Sequence, residues 1–510
     1  MKLVQHRTCR LAGLAGTAVL AGTLALTGCG SSAAAGPGGT LTILQSADIA
    51  PATFLSQNNP NFAFIRTVFN TLTSYDRKTR QPRPELATSW QQSPDRKSIT
   101  LHLREGVTFH SGREFTADDV IFTVKAVQRK DISSQLKHVA AAVTGMKAAD
   151  AHTLTLALQQ PVSNLFDLFE LMPIVDKDTF EDLLKGKRFV GTGPFTVDSY
   201  TPGAGVRLKR NPHYWKPGLP HLDGVNIGVQ SQSQSMLSSL RSGQSQLGLD
   251  LAPLDTAVLH GDPAFQVIAT EADDATYYVA SNVKLKPLDD VRVRQGIAWA
   301  IDRQRILDQA LAGIGRTSSL PWSESSPAFD PAKAGAYHQD IARARQLITD
   351  AGAAGAPVDV AFNSGFLTNQ TIAEIVQFDL KNAGLDPKLV PLQAADFFAK
   401  LGNGNLPGLY VNVHGFGQLS PATLLKGAFP FNAKKNASNF DSPEYRTIAD
   451  QLWNASGPAA YGRANDFLLE NQFVSDLVVS AHTFTISSRL KNLDYTMYDY
   501  IDLDDAYLTD

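Results

Sequence analysis

The chain holds only two cysteines in 510 residues, Cys9 and Cys29. Cys9 lies in what reads as a removable leader, so no internal disulfide is open to the rest of the chain. A packed core must then hold it together, and 43% hydrophobic content over this length is ample for one. No long basic run appears, and no Lys/Arg stripe with interleaved aromatics, which excludes nucleic acid as a partner. Beyond the leader no apolar run is long enough to span a bilayer. There is no repeat of solenoid length and no low-complexity linker after residue 40. Catalytic signatures are missing too: no Gly-x-Ser-x-Gly, no His-Glu-x-x-His and no Cys-x-x-Cys. Ser134 and Lys137 stand at Ser-x-x-Lys spacing by coincidence, since no companion motif follows. Gly191-Thr-Gly193 and Gly203-Ala-Gly205 lack the third glycine and the following helix of a nucleotide loop. His102 and His110 flank a strand turn without a third ligand nearby, so neither a metal nor a cofactor is expected. The acidic, aromatic stretch 494–510 lacks calcium-loop spacing and reads as a solvated strand and tail.

What is present begins at the N-terminus. Lys2, Arg7 and Arg10 form a basic n-region, and 11–26 is a short apolar stretch rich in Gly and Ala. It exits through small residues, the pattern of a cleaved secretory signal. Removing those three charges lowers the 46 basic residues to 43 against 49 acidic ones, a net charge of about −6. The ending Leu26-Thr27-Gly28-Cys29 resembles the bacterial lipobox, which implies cleavage before Cys29 and acylation of that residue. The Gly/Ser/Ala-rich stretch 30–39 reads as a flexible tether.

The remainder mixes strand and helix signals. Residues 40–45 alternate as a strand, and 65–73 has a helical pattern. Ile99, Leu101 and Leu103 point one way while Thr100, His102 and Arg104 point the other, a half-buried strand continued by Val107 and Phe109. Thr116 and Asp119 have the spacing of a capping box, with Val120, Val124 and Val127 on the helix face that follows. Residues 152–158 repeat the strand alternation, and 191–195 is a turn cluster opening another strand. Asp289 or Asp290 is placed to cap a helix over 291–301, and Asp302 the next one, which stops at Gly313 as C′ residue. Arg292 and Arg294, among Asp289, Asp290 and Asp302, read as a structural ion-pair region. Alternating elements over this length predict an α/β protein of several domains.

Three blocks, in order, resemble family 5 of the bacterial extracellular solute-binding proteins, the oligopeptide, dipeptide and nickel binders of ABC transporters. The first runs from Glu85-Leu-Ala-Thr-Ser-Trp90 through Arg104-Glu-Gly-Val-Thr-Phe109 to Phe115-Thr-Ala-Asp-Asp119. The second is Gly191-Thr-Gly-Pro-Phe195 with Asn211-Pro-His-Tyr-Trp215. The third is Thr276-Tyr-Tyr278 with Asn282, then Pro287-Leu-Asp-Asp290 and Ala300-Ile-Asp-Arg303. The match covers roughly residues 40 to 350.

The resemblance implies a two-lobed, hinged, type II periplasmic-binding-protein-like fold with an extra domain inserted in the first lobe. In this chain's numbering that means a signal over 1–28, a tether over 29–39, a first lobe from 40–80, 191–275 and 481–510, an extra domain over 81–190, and a second lobe over 276–480. It implies a binding protein and not an enzyme: a monomer held to the membrane only by its lipid, which captures a short peptide or similar polar solute by lobe closure. Its partners are then the ligand and an ABC permease and ATPase complex. The readings set against this are a secreted lipoprotein hydrolase acting on peptides or glycans, capture of a sugar or metal chelate by the same fold, and a receptor or chaperone role.

By the same resemblance the cleft is lined by Ser46, Ala47 and Asp48, by Tyr277 and Asn282, and by 412–418. A tyrosine stacks and still offers a hydroxyl, and an asparagine offers donor and acceptor together. The competing readings are a core aromatic for Tyr277, a turn residue for Asn282 and a solvated loop histidine for His414. Peptide binders of the family carry a Trp-x-x-Asp segment whose Asp pairs with the peptide ammonium. Here the matching stretch is His414, Gly415, Phe416, Gly417 and Gln418, and Gly417 stands where the Asp would be. An ammonium sealed from water without a counter-charge is costly. Either another carboxylate supplies it, with Asp48 a candidate, or the ligand has no free amine there.

Overall fold

The computed structural model describes residues 38–57, 61–270, 275–415, 420–455 and 457–509. Cys29, Phe416, Gly417 and Gln418 lie outside them. Three sheets organise the described chain. A seven-stranded sheet has the order Phe265–Ala269, Thr483–Ser487, Leu247–Gly248, Thr40–Gln45, Gly224–Val229, Gly205–Arg210, Phe195–Thr201. Thr40–Gln45 runs parallel to both of its neighbours, and the other pairs are antiparallel. A six-stranded sheet has the order Arg316–Thr317, Val474–Ser480, Ala275–Ser281, Leu409–His414, Pro357–Asn363, Asp386–Leu392. A four-stranded antiparallel sheet is built from Ala87–Gln92, Ser98–Leu103, Thr153–Leu158 and Val143–Asp150.

Alternation explains how the six-stranded sheet is covered on both faces. Tyr278, Ala280 and Tyr410 pack into the large core that contains Tyr445, Phe467 and Phe473. Val279, Leu409 and Val411 point the other way, onto the helices Val291–Ala300, Arg303–Ala310 and Leu367–Asn382. In the four-stranded sheet Ile99, Leu101 and Leu103 are buried together with Leu154, Leu156 and Leu158, against helix Ala117–Gln128.

The local capping signals operate as their chemistry requires. Thr116 and Asp119 form the reciprocal capping box of Ala117–Gln128. Asp290 accepts from the Arg292 amide at the start of Val291–Ala300, and Asp302 from the Arg305 amide at the start of Arg303–Ala310. Arg292 pairs with Asp290 at 2.6 Å, whereas Arg294 donates to the carbonyls of Leu288, Asp289 and Asn471.

Four expectations need correction. The helix placed at 65–73 is Phe62–Val68, and Phe69 is already extended. The reason is tertiary: the Gly193 amide takes the Val68 carbonyl at 3.0 Å, and Asn70 accepts from Thr192 and Trp215. The strand before Val107 stops at Leu103; Val107 and Phe109 are buried through a separate turn, where Phe115 N–H donates to Val107 and Phe109 N–H to Arg113. At the end of Arg303–Ala310 the first left-handed residue is Ala312, with Gly313 one place later donating to the Leu307 carbonyl. The stretch 494–510 is no solvated tail. Tyr495, Tyr498, Tyr500, Ile501, Leu503 and Ala506 are buried, because the apolar residues interspersed with the acidic ones there pack into the large core.

Candidate ligand-binding cleft

The chain passes between the two large sheets twice. It leaves the seven-stranded sheet after Phe265–Ala269 to enter the six-stranded sheet at Ala275–Ser281, and it returns from Val474–Ser480 to Thr483–Ser487. The Thr270 amide donates to the His482 carbonyl at 2.8 Å and so ties the two passages together. Beside them, between the sheets, lies a cavity of about 490 Å³. That is a usual size for a site enclosing a small molecule.

Strand direction places the cavity. The carboxyl ends of the parallel strands Thr40–Gln45, Gly224–Val229 and Leu247–Gly248 deliver Ser46, Ser231 and Asp250 to its wall. The parallel pair Pro357–Asn363 and Leu409–His414 delivers Ser364 and Val413 from the other side. Ligand sites outside the carboxyl ends of such strands are the rule for open α/β sheets.

The charge of the lining is one-sided. Asp250, Asp255 and Asp499 contribute carboxylates, and no Lys or Arg stands among the described lining residues. Asp250 accepts from the Ser46 amide at 3.2 Å and the Ser46 hydroxyl at 2.8 Å. Asp255 accepts from Ser233 Oγ and Gln234 Nε2. His482 Nε2 lies 4.0 Å from Asp499 Oδ2. Burial draws the His482 imidazole below its ordinary value, with the Asp250 charge opposing, so it offers little positive charge at neutral pH. Burial pushes the Tyr277 hydroxyl up to about 12, and the Asp250 carboxylate adds to the shift. Tyr277 therefore remains a hydrogen-bond donor. Phe62, packed 4.4 Å from Tyr500, supplies an apolar wall, and Phe366 and Leu367, 41% and 59% exposed, line the same cavity.

Of the residues singled out from the sequence, those among the described residues separate into two groups. Ser46 and Tyr277 line the cavity. Ala47 is exposed and accepts from Gln45 Nε2, while Asp48 accepts from the Tyr200 hydroxyl at 2.9 Å and the Gly203 amide at 2.7 Å. Asp48 thus pins its loop to the hairpin of Phe195–Thr201 and Gly205–Arg210. Asn282 is buried; it donates to the Leu406 carbonyl and accepts from Asn439. His414 pairs with Thr276 across the strands, whereas the cavity-lining pair is Tyr277 with Val413. Adjacent strand residues face opposite sides, so His414 turns away from the cavity and packs edge-on to Phe431 at 6.2 Å. Burial there draws its imidazole down to about 3. Gly415 follows it, half-buried and outside the lining.

Sequence reasoning missed Asp250, Asp255, Asn369, His482 and Asp499. For the acidic ones the available signal was weak: Asp250 ends a short strand motif, and Asp499 sits among three tyrosines that mark 494–510 as core.

The arrangement of sheets and cleft agrees with the comparisons. Residues 81–435 match the model for the middle region of the bacterial extracellular solute-binding proteins, family 5. The chain belongs to this family.

Its relatives in family 5 include the di/tripeptide-binding protein 1 of Pseudomonas aeruginosa, 29% identical over 388 residues, which are 69% of this chain and 71% of that one. Among solved structures, the binding protein AgaA of Agrobacterium tumefaciens R10 in complex with agropinic acid superposes with a TM-score of 0.83 at 21% identity, over 92% of this chain and 99% of the other. The dipeptide-binding protein of a Pseudoalteromonas species in complex with Met-Leu also reaches 0.83, at 20% identity, over 92% of this chain and 100% of the other. The family 5 fold is the two-lobed type II periplasmic-binding fold, and the family is extracytoplasmic. Among the described residues no helix is long and apolar enough to cross a membrane, and no group of three metal-ligating side chains converges.

Proposed function

We propose that this protein captures a short peptide, or a closely similar solute bearing a cationic group, in the cleft between its lobes and delivers it to an ABC importer. The observation that carries this reading is the one-sided charge of the 490 Å³ cavity, with three carboxylates and no Lys or Arg among its described lining. A site that takes charge out of water needs the opposite charge on its ligand. The di/tripeptide-binding relative supports peptides as the class. Lobe closure over the solute is the usual device of such hinged folds, and the paired crossings at Thr270 and His482 suit it. The strand membership of the three sheets supports a first lobe from 40–80, 191–275 and 481–510, a second from 276–480 and an extra domain over 81–190. The protein acts as a monomeric binding module and not as an enzyme, anchored by lipid on Cys29 behind a signal over 1–28 and a tether over 29–39.

The test is a thermal-shift screen of the purified full chain against free-amine peptides, N-blocked peptides, oligosaccharides and metal chelates. A ligand at about 100 times its dissociation constant adds ~2.7 kcal/mol, a readily visible rise in melting temperature. Stabilisation by free-amine di- or tripeptides supports the reading; stabilisation only by sugars or chelates sinks it. For the anchor, Cys29→Ser is expected in the soluble fraction of cells, and a membrane-bound variant would refute lipidation.

A further inference from the structure

The two walls of the cleft have opposite polarity. On the first-lobe side stands Asp250, its carboxylate held by Ser46 and acting on both Tyr277 and His482. On the second-lobe side the wall is the start of the helix Leu367–Asn382, and residues 364–370 all line the cavity. That helix is 16 residues long, and its N-cap, Phe366, has no side chain able to cap it. Its first intrahelical hydrogen bond there is the one the Gln370 amide donates to the Phe366 carbonyl. The amides of Leu367, Thr368 and Asn369 therefore have no acceptor within the helix, and they carry the positive end of its dipole.

A second observation is independent of the dipole. Asn369 is 1% exposed and lines the same cavity, and its amide Nδ2 has no hydrogen-bond partner among the described residues. A buried donor left without an acceptor is costly, and an oxygen on a ligand would remove that cost. Unpaired donors at an uncapped helix start make a receptor for a carboxylate.

We infer that the ligand is a zwitterion bound in a fixed direction: its ammonium on the first lobe at Asp250, and its carboxylate on the second lobe at the start of Leu367–Asn382 with Asn369. This rests on the solute-capture reading above and gives it a polarity. Asp250 supplies the counter-charge that Gly417 cannot, and it does so from the lobe opposite to the family's Trp-x-x-Asp segment. Because each end of the ligand belongs to a different lobe, a ligand missing either charge engages only one lobe and fails to hold the cleft closed.

The experiment is calorimetry on the purified full chain with Ala-Phe and Ala-Ala-Phe, each as the free peptide, the N-acetyl peptide and the C-terminal amide. For wild type, each blocked form is expected to bind about tenfold or more weakly than the free peptide, the scale of a lost hydrogen bond to a charged group. In Asp250→Asn the free-versus-acetyl ratio collapses while the free-versus-amide ratio persists. In Asn369→Ala the free-versus-amide ratio narrows and the other persists. Asparagine tolerates the left-handed φ of 62° at position 250 and can still accept from Ser46, and the wild-type ligand series needs no variant at all. Free peptides that bind, with either block tolerated by wild type or with ratios unmoved in the variants, overturn the polarity and leave peptide capture standing. Failure of all six ligands to bind wild type overturns the peptide reading and the polarity with it.

Discussion

Ser46 donates twice to one oxygen of Asp250, through its amide at 3.2 Å and its hydroxyl at 2.8 Å, although the two residues are 204 positions apart. They meet because each follows the carboxyl end of one of two adjacent parallel strands, Thr40–Gln45 and Leu247–Gly248. The pair holds a carboxylate at the cavity wall.

Ser46→Ala removes the hydroxyl donor and leaves the amide. The lost bond acts on the ligand only through the position of Asp250, so affinity for a free-amine dipeptide is expected to fall roughly fivefold, less than the tenfold or more of a bond made to the ligand itself. The melting temperature without ligand should move little. Calorimetry beside a thermal melt checks both; an unchanged affinity would show that Asp250 keeps its position without Ser46.

Asp119 is fully buried and serves two partners at once. It completes the capping box with Thr116 and pairs with Arg113 at 2.6 Å, which also pairs with Asp176. Asp119→Ala loses the cap and leaves part of a buried ion network uncompensated, which is expected to cost about 3 kcal/mol. Urea unfolding should show this, while peptide affinity in the folded fraction stays at the wild-type level.

Gly193 tolerates no side chain because of close approach: an added Cβ would lie 2.5 Å from the Val68 carbonyl carbon and 2.8 Å from the Phe69 amide. That approach also creates the hydrogen bond from Gly193 to Val68 which ends the helix Phe62–Val68. Gly193→Ala is expected to expose the surrounding core and to reduce the soluble yield several-fold, with the residual protein melting well below wild type.

Stability should decline between pH 6.5 and 8. Burial pushes the Glu170 carboxyl up to about 8 against the opposing Arg66 charge, whereas in the unfolded chain it titrates near ~4.3. The folded chain keeps a proton that the unfolded chain has lost, so this contribution is full at low pH and is lost as pH rises through about 8. His110, His138 and His414, drawn by burial to about 4, 3 and 3, act in the opposite sense below pH ~6.5, where the unfolded chain begins to bind protons. Above that value they are neutral in both states. Burial also pushes the Asp502 carboxyl up to about 7 and raises Asp476, which act in the same sense as Glu170. Glu170→Gln is therefore expected to lessen the fall in melting temperature from pH 6.5 to 8 without abolishing it; a variant with the wild-type slope would exclude Glu170 as a source.

Much of the fold was legible because its signals are local. The alternation of Ile99, Leu101 and Leu103, the capping box of Thr116 and Asp119, and the caps Asp290 and Asp302 depend on residues a few positions apart. Hydrogen-bond reach and side-chain period decide them before any long-range contact forms. The site was less legible. Tyr277 and His414 belong to the same pair of strands and carry equally suitable chemistry, yet the pairing register puts Tyr277 on the cavity face and His414 on the other. Asp48 and Asp250 are both loop carboxylates near Ser46; one is spent on Tyr200 and Gly203, and the other stands in the cleft.

By itself, then, the sequence determined the class of fold, the family and those elements that carry local signals, because periodicity, caps and ordered motifs act over short separations. Only the tertiary structure decided which charges face the ligand. The cavity is made where parallel strands from two sheets end and the chain crosses between them twice, so its polar groups come from positions as distant as Ser46, Asp250, Asn369 and Asp499. Whether such a side chain reaches solvent, a neighbour or the cleft depends on strand order and register, which are set by packing the whole chain and are written in no single stretch of it.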